Sequence, residues 1–444
     1  MSGFTIVWIG QVVSLLGSGM TWFALTVWAW ELTGQATALA LVAFFSFGPT
    51  VLLSPVAGAL VDRWDRKLVM MLSDVAAGLM TIVVLALYAG DALQVWHLYV
   101  TGAVAGAFQA FQFPAYSAAI TTMVDKSQYA RANGMLGVAE SASGIFAPLA
   151  GGVLLGIVGL GGVLIIDIVT FVFAVGALLL VRVPRPRETE TGREGRGSLW
   201  YESIYGFRYI LARPSLLGLQ SIFLAINLSG TFSMTVLAAM ILARSGSDQV
   251  ALGTVQSVMG AGGLVGGILL SVWGGPRRRI HGVLLGMILS SLLGEVTLGI
   301  GGGVLMWSLG AFFTAFFIPI VNGSNQAIWQ AKVAPDVQGR VFATRRLIAQ
   351  ISSPIAMLLA GPLADWVFEP AMAGAGGMAS LFGGLVGTGA GAGMALMFVF
   401  TGLAGALVGL AGYLIPAVRN VEDLLPDHDA GPEPAPAAAV EGVA

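Results

Sequence analysis

Twelve long, mostly apolar stretches divide this chain, and their number limits the possible folds more than any other feature. A helix needs about 20 apolar residues, rising ~1.5 Å each, to cross the ~30 Å hydrocarbon core of a bilayer. The stretches are 4–30, 37–60, 68–89, 95–121, 133–158, 161–181, 215–242, 251–273, 282–300, 304–330, 347–368 and 386–416. Glycine, proline or charge separates them, as at Gly34, Gly90-Asp91, Gly159 to Gly162 and Gly274-Gly275-Pro276. Only 10% of the 444 residues are charged, against about a quarter in soluble domains. The expected fold is an all-α polytopic membrane protein with twelve transmembrane helices. The first stretch has no basic region before it and is too long for a signal-peptide core, so it reads as a retained span.

Composition excludes several kinds of chemistry. The chain has no cysteine, which removes disulfides, iron–sulfur clusters and thiol catalysis. His97, His281 and His428 are far apart, and no metal-ligand spacing appears. No Gly-x-x-x-x-Gly-Lys-Ser/Thr loop points to ATP. With a net charge of −2 there is no case for nucleic acid. The expectation is a protein without cofactor or catalytic residues, whose partners are the lipid bilayer and a small molecule, working as a monomer.

Charge sets the orientation. Of the 21 Lys and Arg residues, all but Arg244 fall in loops 2–3, 4–5, 6–7, 8–9, 10–11 and the tail. Basic loops stay cytoplasmic, so both termini are expected in the cytoplasm of a multi-pass cell-membrane protein. The long connection after Arg182 contains a Pro/Arg/Glu/Gly-rich linker, and Leu199 to Ile210 reads as a short amphipathic surface helix carrying Trp200, Tyr201, Tyr205 and Tyr209. The chain then divides into a six-helix half (1–183), a linker (184–214), a second six-helix half (215–417) and a Pro/Ala/acid-rich tail (418–444) expected to be disordered. A shift of 209 residues lays Gly58 on Gly267, Trp64 on Trp273 and Arg131 on Arg340, so the halves read as pseudo-symmetric repeats. The Gly/Ala/Met-rich stretch Ala371 to Gly393 reads either as an outer loop or as the start of span 12.

The loop Gly58-Ala-Leu-Val-Asp62-Arg63-Trp64-Asp65-Arg66-Lys67 joins spans 2 and 3. Gly58 permits close helix approach. Asp62, one turn later on the same face, can meet the positive N-terminal end of a neighbouring helix. Arg63, Arg66 and Lys67 mark the side of the membrane that this loop faces. In span 5, Glu140, Gly144, Pro148 and Gly152 recur every four residues and share a face, with Gly151 beside them.

Four acids lie within spans: Asp74, Glu140, Asp167 and Glu295. An intramembrane carboxylate is costly and points to ion or proton handling, or else to a hydrogen bond with a neighbouring helix. Glu140, on the small-residue face, leads as the proton-coupling candidate, followed by Asp167 and Asp74. Glu31 reads as an entry group or as a helix end in water. Polar and aromatic stripes occur on span 1 (Gln11, Ser14, Ser18, Thr21), span 4 (Gln109, Gln112, Phe113, Tyr116), span 7 (Gln220, Asn227, Thr231) and span 10 (Phe312, Phe316, Asn322, Asn325, Gln326). They line a substrate cavity or bond helix to helix. Amides mixed with aromatics suit a large amphipathic ligand.

The loop Gly-x-Leu-x-Asp-Arg-x-x-Arg-Lys resembles the signature between helices 2 and 3 of the major facilitator superfamily, which usually has Gly where this chain has Asp65. The segment from Gly144 to Gly152 is similar to an antiporter motif of drug exporters in that superfamily, with Ala147 in place of a Gly. Span 4 lacks the arginine that many facilitator antiporters carry. Four segments resemble the macrolide-efflux branch: Trp8-Ile-Gly-Gln11, Ala327 to Arg346, Gly361-Pro-Leu-Ala-Asp365 to Glu369-Pro370, and Arg419-x-x-Glu422-x-x-Leu-Pro426-Asp427. The resemblance implies the major facilitator fold, with helices 1, 4, 7 and 10 around a central cavity and helices 2 and 11 side by side. With span 11 read as starting near Arg345-Arg346, that fold makes these two arginines expected partners of Asp62 in a cytoplasmic gate that also contains Gly58, Arg63, Arg66 and Lys67. The resemblance also implies export of macrolide- or drug-like compounds in exchange for protons, by alternating access between the halves. A siderophore or lysophospholipid carrier, or a non-transporting sensor or assembly protein, are the alternative readings.

Overall fold

The computed structural model describes residues 2–61, 64–125, 128–181, 199–373 and 377–427. Among these the chain is helical with short connections. Spans 1 to 4 are Ser2–Thr33, Ala36–Val61, Arg66–Ala89 and Val95–Met123. Spans 5 and 6 form one helical run, Tyr129–Leu180, of 52 residues. Straight, it would extend ~78 Å, more than twice the hydrocarbon thickness. It folds back at Gly159, whose φ of 67° belongs to the left-handed region that glycine tolerates. The two expected spans are therefore present without a loop between them.

The second half begins after the helix Leu199–Leu211. Span 7 is Pro214–Ser245, span 8 Gln249–Trp273 and span 10 Val304–Lys332. Span 9 runs from Arg279 to Ile300 through a π-helical segment, Ser290–Val296. Span 11 starts at Pro335, well before the expected 347, and continues past a second π segment, Ala364–Phe368, to Ala373. Pro335 favours that start because a proline at the first helical position loses no bond and has the helical φ. Hydropathy misses these turns because they carry Gln338, Arg340, Arg345 and Arg346. Ala371 to Gly393 resolves into the end of span 11, a short helix Met378–Val386 and a turn, so span 12 starts at Ala392 rather than 386. Residues 182–198 and 428–444 lie outside the described residues; the first part of the tail expected to be disordered is instead ordered, with short helices at Pro416–Arg419 and Val421–Leu424.

Two bundles result. Span 1 packs along spans 5 and 6, span 2 on span 4, span 8 on span 10, and span 7 on spans 11 and 12. The halves meet where span 5 lies on span 8 and span 2 on span 11. The end of the molecule that carries the Lys/Arg-rich loops is called the basic face here.

Side chains seal helix ends on both faces. Asp65, the departure from the superfamily signature, caps span 3 by accepting from the backbone N–H of Lys67 at 3.0 Å and of Leu68 at 3.3 Å. Lys67 Nζ donates to the Leu179 and Val181 carbonyls at the end of span 6, where a cation suits the negative helix terminus. In the second half the segment after span 12 takes the capping role. Glu422 accepts from the N–H groups of Arg279 and Ile280 at 3.1 and 3.0 Å, and Lys332 Nζ binds the Glu422 and Leu425 carbonyls. On the opposite face, Arg244 is held by the Val386 and Gly299 carbonyls, again at helix ends. Glu422→Ala should lower the apparent unfolding temperature of the detergent-solubilised protein, at a cost of about 1 kcal/mol; an unchanged melting curve would mean the cap contributes nothing.

Candidate functional site

Two cavities lie in the middle of the bundle and share Trp22 of span 1. One, of about 530 Å³, belongs to the first half. Span 1 contributes Trp8, Gln11, Ser14 and Ser18, span 3 Asp74 and Thr81, span 4 Gln109, Gln112 and Tyr116, span 5 Glu140, and span 6 Asp167. The helical repeat puts the span 1 residues on one face, and the carboxylates collect their hydroxyls and amides. Asp74 accepts from Gln11 Nε2 at 3.0 Å and from Gln112 Nε2 at 2.6 Å, tying spans 1, 3 and 4 together. Asp167 accepts from Ser18 Oγ at 3.2 Å and Thr81 Oγ1 at 3.1 Å, tying spans 1, 3 and 6. Asp74 and Asp167 are buried, while Glu140 is exposed to the cavity space.

The other cavity, of about 510 Å³, reaches into the second half. It is lined by Asn227, Thr231 and Met234 of span 7, Gln256 and Met259 of span 8, Glu295 of span 9, Thr314 and Asn322 of span 10, and Met357 of span 11. Glu295 sits on the π segment of span 9 and accepts from Ser233 Oγ at 3.1 Å. An extra residue in a helical turn re-aims the side chains that follow, and π turns recur at functional sites. Among the described residues the linings hold four carboxylates, several amides and many methionine and aromatic side chains, with no Lys, Arg or His.

Not every expected residue reaches this space. Gln11, Ser14, Ser18, Gln109, Gln112, Tyr116, Asn227 and Asn322 line it. Thr21 is buried within the packed helices and lines neither cavity. Phe316 packs instead into a phenyl cluster with Phe312, Phe313 and Phe317. Asn325 is 1% exposed inside the second bundle, and Gln326 Oε1 accepts from Arg345. Gln220 is likewise taken, donating to the Arg345 carbonyl. For Asn325 and Gln326 the cause is depth: span 10 continues past Asn322 and the cavity toward the basic face, and its polar residues there serve helix packing. The side chain of Phe113 lies outside the description.

Among the expected gate residues, Asp62 and Arg63 lie outside the described residues, and Gly58 is described only as part of span 2. Arg66 opens span 3, beside Lys67. Arg345 stacks near Trp329 and Phe342, well inside span 11 rather than at its start, and Arg346 is exposed.

The span 5 motif lies on the seam between the halves. Pro148 has no N–H for the Gly144 carbonyl four residues back. Gly260 of span 8 faces that carbonyl so closely that a Cβ there would stand 2.8 Å from the oxygen. A Cβ on Gly253 would stand 2.6 Å from the Pro148 oxygen, and one on Gly152 would stand 2.9 Å from the Gln249 oxygen. Ser257 Oγ donates to the Ile145 carbonyl. Gly151 turns the other way, toward Phe23. Gln249 also donates to Glu31 across the seam. These contacts lie in the half of the seam away from the basic face.

Sequence reasoning passed over Trp22 and the four lining methionines because an apolar residue in a span reads as lipid-facing. It ranked Glu295 last among the acids, because nothing in the sequence announces the π segment beneath it.

The Major Facilitator Superfamily sequence model matches residues 7–357. A macrolide efflux protein A from Streptococcus pyogenes is 26% identical over 378 residues, 82% of this chain and 89% of that protein. The multidrug efflux pump Tap from Mycobacterium tuberculosis is 25% identical over 381 residues, 81% of this chain and 86% of that one. Among solved structures, a bacterial homologue of the human lysosomal transporter Spinster, in an inward-facing and unoccupied conformation, has a TM-score of 0.66 at 17% identity. It covers 92% of this chain and 97% of its own.

Proposed function

Because the chain belongs to the major facilitator superfamily, we propose that it exports amphipathic, macrolide- or drug-like compounds across the cell membrane in exchange for protons. The observation that carries this is the pair of cavities on either side of Trp22, lined by apolar, aromatic and amide side chains with Asp74, Glu140, Asp167 and Glu295 among them. Methionine and aromatic walls accept varied apolar shapes. Carboxylates without a basic residue among the described lining residues favour neutral or cationic amphiphiles over anions and give protons a place to bind. Asp74 and Asp167 suit coupling better than Glu140, since their hydrogen bonds join spans that would move relative to a bound ligand. Relatives named as macrolide and multidrug efflux proteins support the substrate class.

The basic face is cytoplasmic in this reading, so the contacts along spans 5 and 8 close the outer side and the cavities await substrate from within. Rocking of the halves about the cavity then carries it across. Export is tested by expressing the protein in a host stripped of its own pumps. Higher tolerance to macrolides and other amphiphilic antibiotics is expected, and unchanged tolerance across a broad panel, with the protein present in the membrane, would contradict it. Trp22, in both cavities, should be a principal contact. Trp22→Ala should weaken binding of an amphipathic fluorophore about tenfold, the worth of one buried aromatic contact; equal affinity would place the ligand elsewhere.

A further inference from the structure

We infer that Asp365 is a gate residue of the transport cycle, closing the face opposite the basic loops by capping a helix of the other half. Asp365 lies on the π segment of span 11. Its Oδ1 accepts from the Ala36 N–H at 3.0 Å and its Oδ2 from the Thr37 N–H at 2.7 Å. Those are the first two amides of span 2, which have no partner within their own helix. One carboxylate thus satisfies two donors and places a negative charge at a positive helix terminus. The bond crosses from the second six-helix half to the first, so it cannot survive separation of the halves at this face. Gly361, one turn earlier, makes it possible: a Cβ there would stand 2.6 Å from Thr37 Cα and 2.8 Å from Ala40 Cβ.

The sequence carries this device twice. Gly361-Pro-Leu-Ala-Asp365 ends span 11 with the same Gly-x-Leu-x-Asp spacing as Gly58-Ala-Leu-Val-Asp62 at the end of span 2. Spans 2 and 11 pack side by side, and Asp365, near the end of span 11, meets the start of span 2. Asp62 was expected from sequence to meet the start of span 11 when the basic face is closed. Asp365 is its counterpart for the state described here. Glu369 provides the contrast: it accepts from the Gly391 and Met394 N–H groups at the start of span 12 in its own half, where rocking leaves the bond intact.

The inference rests on the alternating-access reading, but its test needs neither drug nor proton gradient. Spin labels on cysteines introduced at Leu32 and Leu381, both exposed and in different halves, report the separation at this face; the chain has no cysteine of its own. Asp365→Asn keeps the shape and removes the charge. It should shift the populations about tenfold from the short to the long distance, the equivalent of ~1.4 kcal/mol for a partly buried charge at a helix terminus. Ala36→Pro removes one donor at a helix position that tolerates proline and should shift them the same way by less. Glu369→Gln should lower thermal stability and leave the distances alone. Unchanged distances in both Asp365→Asn and Ala36→Pro would overturn the gate, whatever the outcome of the export assays.

Discussion

Gly253→Val is expected to slow export roughly five- to hundredfold while leaving the protein folded. Span 8 approaches span 5 so closely here that even a Cβ would stand 2.6 Å from the Pro148 carbonyl oxygen. A valine forces the two backbones apart, and overpacking of this kind costs about 1–3 kcal/mol. The cost falls on the state in which the seam is closed, so the balance moves toward the state open at that face. Gly253→Ala should act in the same direction with a smaller effect. Initial transport rates in proteoliposomes, with distances between labels across the seam, check both parts. A valine variant with wild-type rate and distances would mean that the span 5 and span 8 contact is not part of the cycle.

Asp74→Asn is expected to abolish uphill transport and leave downhill, drug-driven flux in place. Asp74 accepts two amide N–H groups, from Gln11 and Gln112, and has no cationic partner among the described residues. An asparagine of the same shape cannot take and release a proton. It also sets its own NH2 group against those of the glutamines, so at least one donor loses its acceptor. Ligand affinity measured without a pH gradient separates the two effects. Full uphill transport by the Asn variant would move coupling to Asp167, and the same substitution there is the next experiment. Glu140→Gln, favoured from sequence, should have the smaller effect, because Glu140 is exposed and Asp74 is buried between Gln11 and Gln112.

The fold was legible because lipid imposes its own ruler: apolar runs of membrane length translate directly into helices. The ruler fails where a helix leaves the membrane or bends inside it. Span 11 begins at Pro335 in a polar stretch, and span 9 passes through a π-helical segment. The polar stripes of spans 1 and 4 were informative because Gln11, Ser14 and Ser18 on one and Gln109, Gln112 and Tyr116 on the other border the cavity. On span 10 the same periodicity places Asn322 in the cavity wall but Asn325 in the bundle and Gln326 under Arg345. Periodicity fixes a face, and depth then decides whether that face meets the cavity. The two π segments, which carry Glu295 and Asp365, leave no mark in composition or pattern.

The central claim is an exchange of an amphiphile for protons, and counterflow tests it most directly. Proteoliposomes with a pH difference across the membrane would be loaded with a permanently charged quaternary amphiphile, which cannot be trapped by protonation, and with a luminal pH dye. The amphiphile should move into the acidic compartment against its own gradient while the dye records protons crossing the other way, and Asp74→Asn should do neither. Equal amphiphile flux with and without the pH difference, or amphiphile and protons moving together, would contradict the account.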